Sequence, residues 1–260
     1  LLAEADSRPQ LPRLGGMARP NGVVIVSERF WAFAGHDGTL REGPMPRPRF
    51  DRIPLLRGVM KLAAAFAPVF RRSGVAGRRE RRILGTLIVA PLGFVFLPAA
   101  VAWVAWGFIT AALLVWIFRG RTLRLHGAEH RAIAAVEERR LAATWAGAAR
   151  PSRFSWRCGT NFAALVVPVT ALADHAWPFA PALYTPVLVT VLSLALTMEL
   201  WRAVQASPWR VARILLLPGL GLQRLTTREP ALEETRVSLT AVEAVLRREF
   251  SFRKARPARS

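Results

Sequence analysis

Residues 83–118 read ILGTLIVAPLGFVFLPAAVAWVAWGFITAALLVWIF, a run of 36 positions without one formal charge. A helix rises about 1.5 Å per residue and the hydrocarbon layer of a bilayer is about 30 Å thick, so roughly 20 residues make one crossing. The run is too long for one span and just long enough for two short ones. Pro98 lies mid-run, where a reversal would fall. The reading is therefore two spans, at about 83–98 and 101–119, with Trp103, Trp106 and Trp116 near the membrane interfaces.

A second block without Lys or Arg covers residues 158–201. Its apolar runs are parted by Asp174, His175 and the Pro178–Pro181 segment, a natural turn. Two more spans are expected at about 160–177 and 182–203. All 37 Lys and Arg fall outside the two blocks, and a cation at the bilayer centre costs about 2.5–3.5 kcal/mol on insertion scales. Four spans put both termini and the 119–159 loop on one side. The positive-inside rule makes that side cytoplasmic. A net charge of +20 and a pI near 11.9 would by themselves suggest a nucleic-acid partner. Segregation of the charge argues against one and for a bilayer with anionic headgroups. Cys158 is the single cysteine, so no intramolecular disulfide is expected, and the arginine- and proline-bearing first twenty residues do not read as a signal peptide.

Outside the blocks the pattern changes. Val23–Val26 and Phe30–Ala34 are β-rich and His36-Asp37-Gly38 is a turn signal, which predicts a small β meander. Ile53–Phe70 is apolar but broken by Arg57 and Lys61, and reads as an amphipathic helix on the membrane surface. Leu232, Leu239, Val242, Leu246 and Phe250 recur at helical spacing, predicting an amphipathic helix that caps the cytoplasmic face. The expected fold is a mainly α, polytopic membrane protein with about four transmembrane helices, a small N-terminal β meander and a C-terminal amphipathic helix. Its organisation would be a β-rich region with the interfacial helix (1–82), two spans (83–119), a cytoplasmic loop (120–159), two spans (160–203) and a cytoplasmic C-terminal region (204–260).

The sharpest local feature is His126-Gly127-Ala128-Glu129-His130. Helical residues four apart share a face, so both imidazoles can bind one metal with Glu129 beside them, the order of inverted zincins. With four His and 13 Glu in the chain, roughly 0.003 such matches are expected by chance. Topology narrows the remaining ligands. Glu199 is the acid inside the fourth span, and a carboxylate there is costly and usually functional. Cys158 at the mouth of the third span is its rival, while His175 falls on the opposite side of the membrane. The same residues also admit plainer readings: a solvated or headgroup-contacting helix face for the His pair, an ion pair with Arg202 for Glu199, a packed thiol for Cys158.

The motifs His126–His130, Arg157-Cys-Gly-Thr-Asn-Phe162 and Pro218-Gly-Leu-Gly-Leu-Gln-Arg-Leu-Thr-Thr-Arg-Glu-Pro230, with Pro54-Leu-Leu-Arg-Gly58, resemble the YqhQ-like family. This is a domain-of-unknown-function family of bacterial membrane proteins with plastid relatives, and the resemblance covers most of residues 15–250. It implies a metal-dependent enzyme, since members are described as predicted metal-dependent enzymes. One stretch departs: where the family pattern resembles Gly-Gly-Gln-Ala-Val-Ile-Glu-Gly-Val-Met-Met-Arg, the Gln, Glu and Arg positions are Met17, Asn21 and Val26 here.

The functional expectation is a membrane-embedded metal-dependent hydrolase. His126 and His130 would bind a divalent metal, zinc being the candidate, with Glu199 or Cys158 completing the set. Glu129 would act as general base, and Asn161, Arg157 and Arg228 are candidates to polarise a carbonyl or phosphoryl oxygen. The substrate would be a peptide, a lipid headgroup or another amphiphile. The alternative is a non-catalytic membrane factor for assembly, regulation or scaffolding, with the polar motifs forming a structural network.

Overall fold

The computed structural model of the chain describes residues 1–47, 52–71, 74–94, 97–117, 120–180, 182 and 184–254. It is mainly helical with one small antiparallel sheet, and it divides into two compact units that are described separately.

The first unit gathers three stretches distant in sequence: Leu1–Arg47, Arg119–Cys158 and Gln223–Ser260. Its sheet is a meander of β1 (Gly15–Arg19), β2 (Gly22–Val26), β3 (Phe30–Gly35) and β4 (Leu40–Pro44), in that spatial order. The expected turn at His36–Gly38 joins β3 to β4, with Gly38 at φ 82°, a left-handed conformation that favours glycine. Side chains alternate across the pleat, so Val23 and Ile25, paired with Ala34 and Ala32, line one face with Gly16 and Ala18 of β1. That face is covered by two helices, α5 (Gly120–Glu137) and α10 (Leu232–Lys254). Leu239, Val242, Leu246 and Phe250 of α10 are buried against the sheet residues and against Leu125, Ile133 and Val136 of α5. The C-terminal helix is thus the spine of a core, a larger part than the cap its periodicity suggested. A buried carboxylate ties it to the sheet: Glu249 accepts from the Ser27 hydroxyl at 2.8 Å and from Arg29 Nε at 3.1 Å. Short helices α1 (Leu2–Asp6) and α6 (Leu141–Trp145) meet through Asp6, whose carboxylate accepts from the Leu141 and Ala142 amides.

The second unit comprises Pro48–Phe118 and Gly159–Leu222. It contains α2 (Leu56–Phe70), α3 (Arg78–Gly93), α4 (Ala99–Ile117), α7 (Gly159–His175), α8 (Thr185–Ala206), a 3₁₀ segment (Arg210–Leu216) and the start of α9 (Leu217–Thr226). Four helices fall where spans were expected, α3, α4, α7 and α8. Pro98 stands immediately before α4, and its carbonyl accepts from the Ala102 amide. Among the described residues one helix, α8, is long and apolar enough to cross a membrane by length and composition, so the fourfold expectation is not shown at that standard. Val95, Phe96, Phe118, Arg119 and Pro181 of the expected spans and turn, and the side chains of Trp103, Trp106 and Trp116, lie outside the described residues.

Within this unit α2 crosses α8 at Gly58, where a Cβ would come within 2.8 Å of Met198 Cβ. One residue away, Arg57 Nε donates to Glu199 at 2.8 Å. Phe162 of α7 meets Trp201 of α8 edge-on at 6.2 Å. Many large apolar side chains nevertheless face outward, among them Phe108, Val167, Leu172, Trp209 and Val211, each more than 60% exposed.

Candidate metal centre

The site is built on α5. The sequence GRTLRLHGAEHRAIAAVE has only a mixed apolar pattern, yet every side chain from Gly127 to Ile133 is buried. Two small residues make this possible. A Cβ at Gly127 would stand 2.2 Å from the Arg228 carbonyl oxygen, so glycine lets the Thr226–Pro230 segment lie directly on the helix. On the opposite flank, a Cβ at Gly16 of β1 would fall 2.7 Å from Glu129 Cγ. The helix is gripped from both sides, which overturns the reading of its His pair as a solvated or headgroup-contacting face.

The His126 and His130 rings lie edge to face with centroids 4.5 Å apart. His126 Nδ1 is 2.8 Å from the Thr226 carbonyl oxygen and His130 Nδ1 is 2.7 Å from that of Arg153. A carbonyl can only accept, so both rings carry their proton on Nδ1 and present an Nε2 lone pair. The Cys158 thiol lies 3.3 Å from His126 Nε2 and donates to it. His130 Nε2 is fully buried with no hydrogen-bond partner. An unmet acceptor of this kind costs on the order of 1–3 kcal/mol and calls for a ligand. Burial holds the pKa of His126 below its usual value, and burial together with the neighbouring His126 pushes His130 down to about 3, so both rings are neutral at ordinary pH.

The donor atoms of His126, His130 and Cys158 lie within 4.8 Å of one another, a group that can hold a metal ion. Tetrahedral zinc, with bonds of about 2.0–2.3 Å, sets its ligand atoms roughly 3.3–3.8 Å apart, so closure requires a contraction of up to about 1.5 Å. The residues fit the metal in three respects: two neutral imidazoles with a common outlook, carbonyls behind each Nδ1–H of the kind that orient metal-bound histidines, and one soft sulfur donor.

The other residues expected at the site fall elsewhere. Glu199 belongs to the second unit, where Arg57 and Arg202 pair with its carboxylate, so the rival third ligand that the structure joins to the histidines is Cys158. Glu129 is not in the donor cluster. Its carboxyl is turned toward β1, where the Ala18 amide donates to it, and burial pushes its pKa up to about 8. Arg157, exposed and adjacent to Cys158, pairs with Glu137 at 2.7 Å. Asn161 is fully buried in the second unit, beneath Gly219, whose Cβ would sit 2.3 Å from its Oδ1. Arg228 is engaged through its backbone, its amide donating to Leu123 and its carbonyl covering Gly127.

Sequence reasoning missed the residues that hold the loop bearing Cys158. The buried Gln223 amide accepts from Ser155 N–H at 2.9 Å and donates to Ser155 C=O at 2.8 Å, while Arg131 Nε donates to the Pro151 carbonyl at 3.1 Å. Arg131 also pairs with Glu229 at 2.7 Å. Gln223 and Glu229 lie within the 218–230 motif, so their weight was visible as motif membership, but their partners, the Ser155 backbone and the distant Arg131 side chain, carry no sequence signature.

A family model described as a protein of unknown function, DUF1385, matches residues 110–248, more than half of the chain. The chain belongs to this family. The matched range holds every side chain of the donor cluster and the Thr226 and Arg153 carbonyls behind it. The uncharacterized protein YqhQ of Bacillus subtilis (strain 168) is 30% identical over 135 residues, 50% of this chain and 42% of that relative, so less than half the relative's length is spanned. No solved structure matches the chain.

Proposed function

We propose that the chain is an integral membrane protein that holds a divalent metal, zinc, on His126, His130 and Cys158 at the cytoplasmic face, and that it is a metal-dependent hydrolase. The observation that carries the metal is the buried, unpartnered His130 Nε2 beside a second imidazole and a thiol. Membrane integration rests on the two cation-free blocks, on α8 and on the outward-facing apolar residues of the second unit. The hydrolase assignment rests on the ligand count. Three protein donors leave one tetrahedral position for water or substrate, as catalytic zinc sites do.

The roles of the chain's own groups follow from the geometry. Thr226 and Arg153 carbonyls orient the two rings, and the depressed pKa values keep both lone pairs free. The Cys158 thiol must give up its proton to ligate. A bound zinc supplies Lewis acidity, polarising an acyl or phosphoryl oxygen and acidifying water toward neutral pH. Arg157, next to Cys158 in the chain, would add a guanidinium to a polarised oxygen once it leaves Glu137. Glu129 would serve as base only after releasing the Ala18 amide.

That engagement of Glu129 favours a second reading, a non-catalytic assembly, regulatory or scaffolding factor in which the metal is structural. The deciding experiment is elemental analysis of detergent-purified protein beside a His126→Ala/His130→Ala double variant. About one zinc per chain, lost in the variant, is the expected result. Wild-type protein without metal, and a variant that folds as well, would sink the metal and with it both zinc readings. Glu129→Gln separates the two: hydrolysis of acyl-ester, phosphoester or peptide probes disappears with zinc retained if the site is catalytic.

A further inference from the structure

A cavity of about 340 Å³ opens in the first unit beyond the C-terminal end of the metal-bearing turn of α5. It falls within the lower range of small-molecule sites, which run from roughly 300 to 1,000 Å³. Its floor is apolar: Leu14, Ile133 and Val136, all buried. Ile133 lies one helical turn after His130, and Arg157, on the cavity wall, is the neighbour of Cys158, so this space adjoins the donor cluster without sharing a residue with it.

The rim is cationic. Arg13, Arg139 and Arg157 line it, opposed by Glu137 alone, a balance of +2. The three guanidiniums are differently committed. Arg157 pairs with Glu137, and Arg139 donates to the Ala5 and Pro9 carbonyls, which neutralises none of its charge. Arg13 is exposed and makes no hydrogen bond or ion pair among the described residues. Arg139 is also held at φ 59°, a left-handed conformation that a β-carbon makes unfavourable. The bonds from the Arg140 amide to the Ala135 carbonyl and from the Arg139 amide to the Val136 carbonyl make this the left-handed close of α5.

We infer that this cavity binds a small anionic amphiphile, a carboxylate or phosphate monoester carrying a short apolar stem. The stem lies on Leu14, Ile133 and Val136, and the anion meets Arg13 and Arg139, with Arg157 joining when it releases Glu137. An apolar floor under a cationic rim discriminates by both ends of the ligand. An alcohol with the same stem leaves the guanidiniums unmet, and a free inorganic anion leaves the floor wet. The inference stands on the cavity alone and does not require the metal.

The test uses the full chain in nanodiscs of zwitterionic lipid, with empty nanodiscs subtracted to remove partitioning into the bilayer. Calorimetric titration with octanoate is expected to give saturable one-to-one binding, with octanol and inorganic phosphate each weaker by about tenfold or more. Arg13→Glu, at an exposed position without partners, is expected to weaken octanoate by about tenfold while Arg13→Lys retains most of the affinity. Repeating the titration in the His126→Ala/His130→Ala variant separates the two proposals: octanoate binding is expected to survive there whether or not wild-type protein contains zinc. Equal binding of octanol and octanoate, indifference to Arg13→Glu, or no saturable octanoate binding at all would each overturn the inference. Phosphate as tight as octanoate would recast the rim as a plain anion site and overturn it too.

Discussion

Helices α5 and α8 are of similar length, 18 and 22 residues, and opposite in every other respect. α5 carries three arginines, two histidines and two glutamates, yet its middle turns are sealed inside protein. α8 is apolar almost throughout, yet only a third of its most apolar window is buried. In a water-soluble protein these assignments would be reversed, because burial of apolar area is the main driving force of folding. The contrast is the one that the proposed membrane placement requires, in which the two units would answer to different solvents. The first unit builds a conventional core from a sheet and two helices and uses the remaining burial to hold polar chemistry. The second exposes Phe108, Val167 and Leu172, which water would penalise and hydrocarbon would not.

The strongest way to break that contrast is to place a charge on an exposed apolar position of the second unit. Phe108→Asp is such a change, at a side chain 74% exposed. On a watery surface it would alter stability by no more than about 0.5 kcal/mol, and solubility would improve. At the centre of a span it costs about 2.5–3.5 kcal/mol and prevents stable insertion. The expected outcome is loss of the chain from the membrane fraction, measured by fractionation and carbonate extraction. Normal levels of Phe108→Asp protein would mean that water, not lipid, meets α4.

A smaller effect is expected at Gly127, where the first unit's packing is tightest. Alanine is the better helix former by about 1 kcal/mol, and in isolation the change should help α5. Here its methyl would stand 2.2 Å from the Arg228 carbonyl oxygen, a backbone atom that cannot swing aside. Overpacking of this kind costs about 1–3 kcal/mol, and the segment displaced is the one whose Thr226 carbonyl orients His126. Gly127→Ala should therefore lower resistance to urea and reduce zinc retention together. A stabilised variant with full zinc would show that residues 226–230 do not press on α5 at Gly127.

These two positions also mark how far the sequence could be read. The meander followed from two β-rich runs and a turn signal, the four helices of the apolar blocks from charge-free length and the prolines that divide it, and the pairing of His126 with His130 from a four-residue spacing, all local signals. Cys158 and Glu199 stayed level as third ligands because each is a lone chemical group whose neighbours come from distant chain. What separates them is tertiary: the Gln223 amide and Arg131 fix the loop that presents the thiol, and Arg57 on α2 engages the carboxylate. The burial of α5 was equally invisible, since it depends on Gly16 and Gly127 being the points of closest approach rather than on any apolar stripe. Arg57 reads in sequence as an interruption of an amphipathic helix and as part of the Pro54–Gly58 motif, and neither reading points to Glu199 as its partner.

The finest discrimination is between those two former rivals, and it predicts almost nothing for one of them. Glu199→Gln removes a carboxylate that accepts from Arg57 Nε at 2.8 Å and lies 3.7 Å from Arg202. The amide still accepts one of those bonds, so the packing of α2 on α8 through Gly58 should survive with a modest loss, of order 1 kcal/mol for a partly exposed pair. Zinc content should not change, because no atom of Glu199 belongs to the donor cluster. Cys158→Ser presents the contrary case. It retains nearly the shape of the thiol but replaces a soft sulfur with a hydroxyl that does not ionise near neutral pH, and zinc should fall well below one per chain. Measured side by side by elemental analysis, zinc lost with Glu199→Gln and kept with Cys158→Ser would move the third ligand to the other unit and dissolve the division of labour between the two helices.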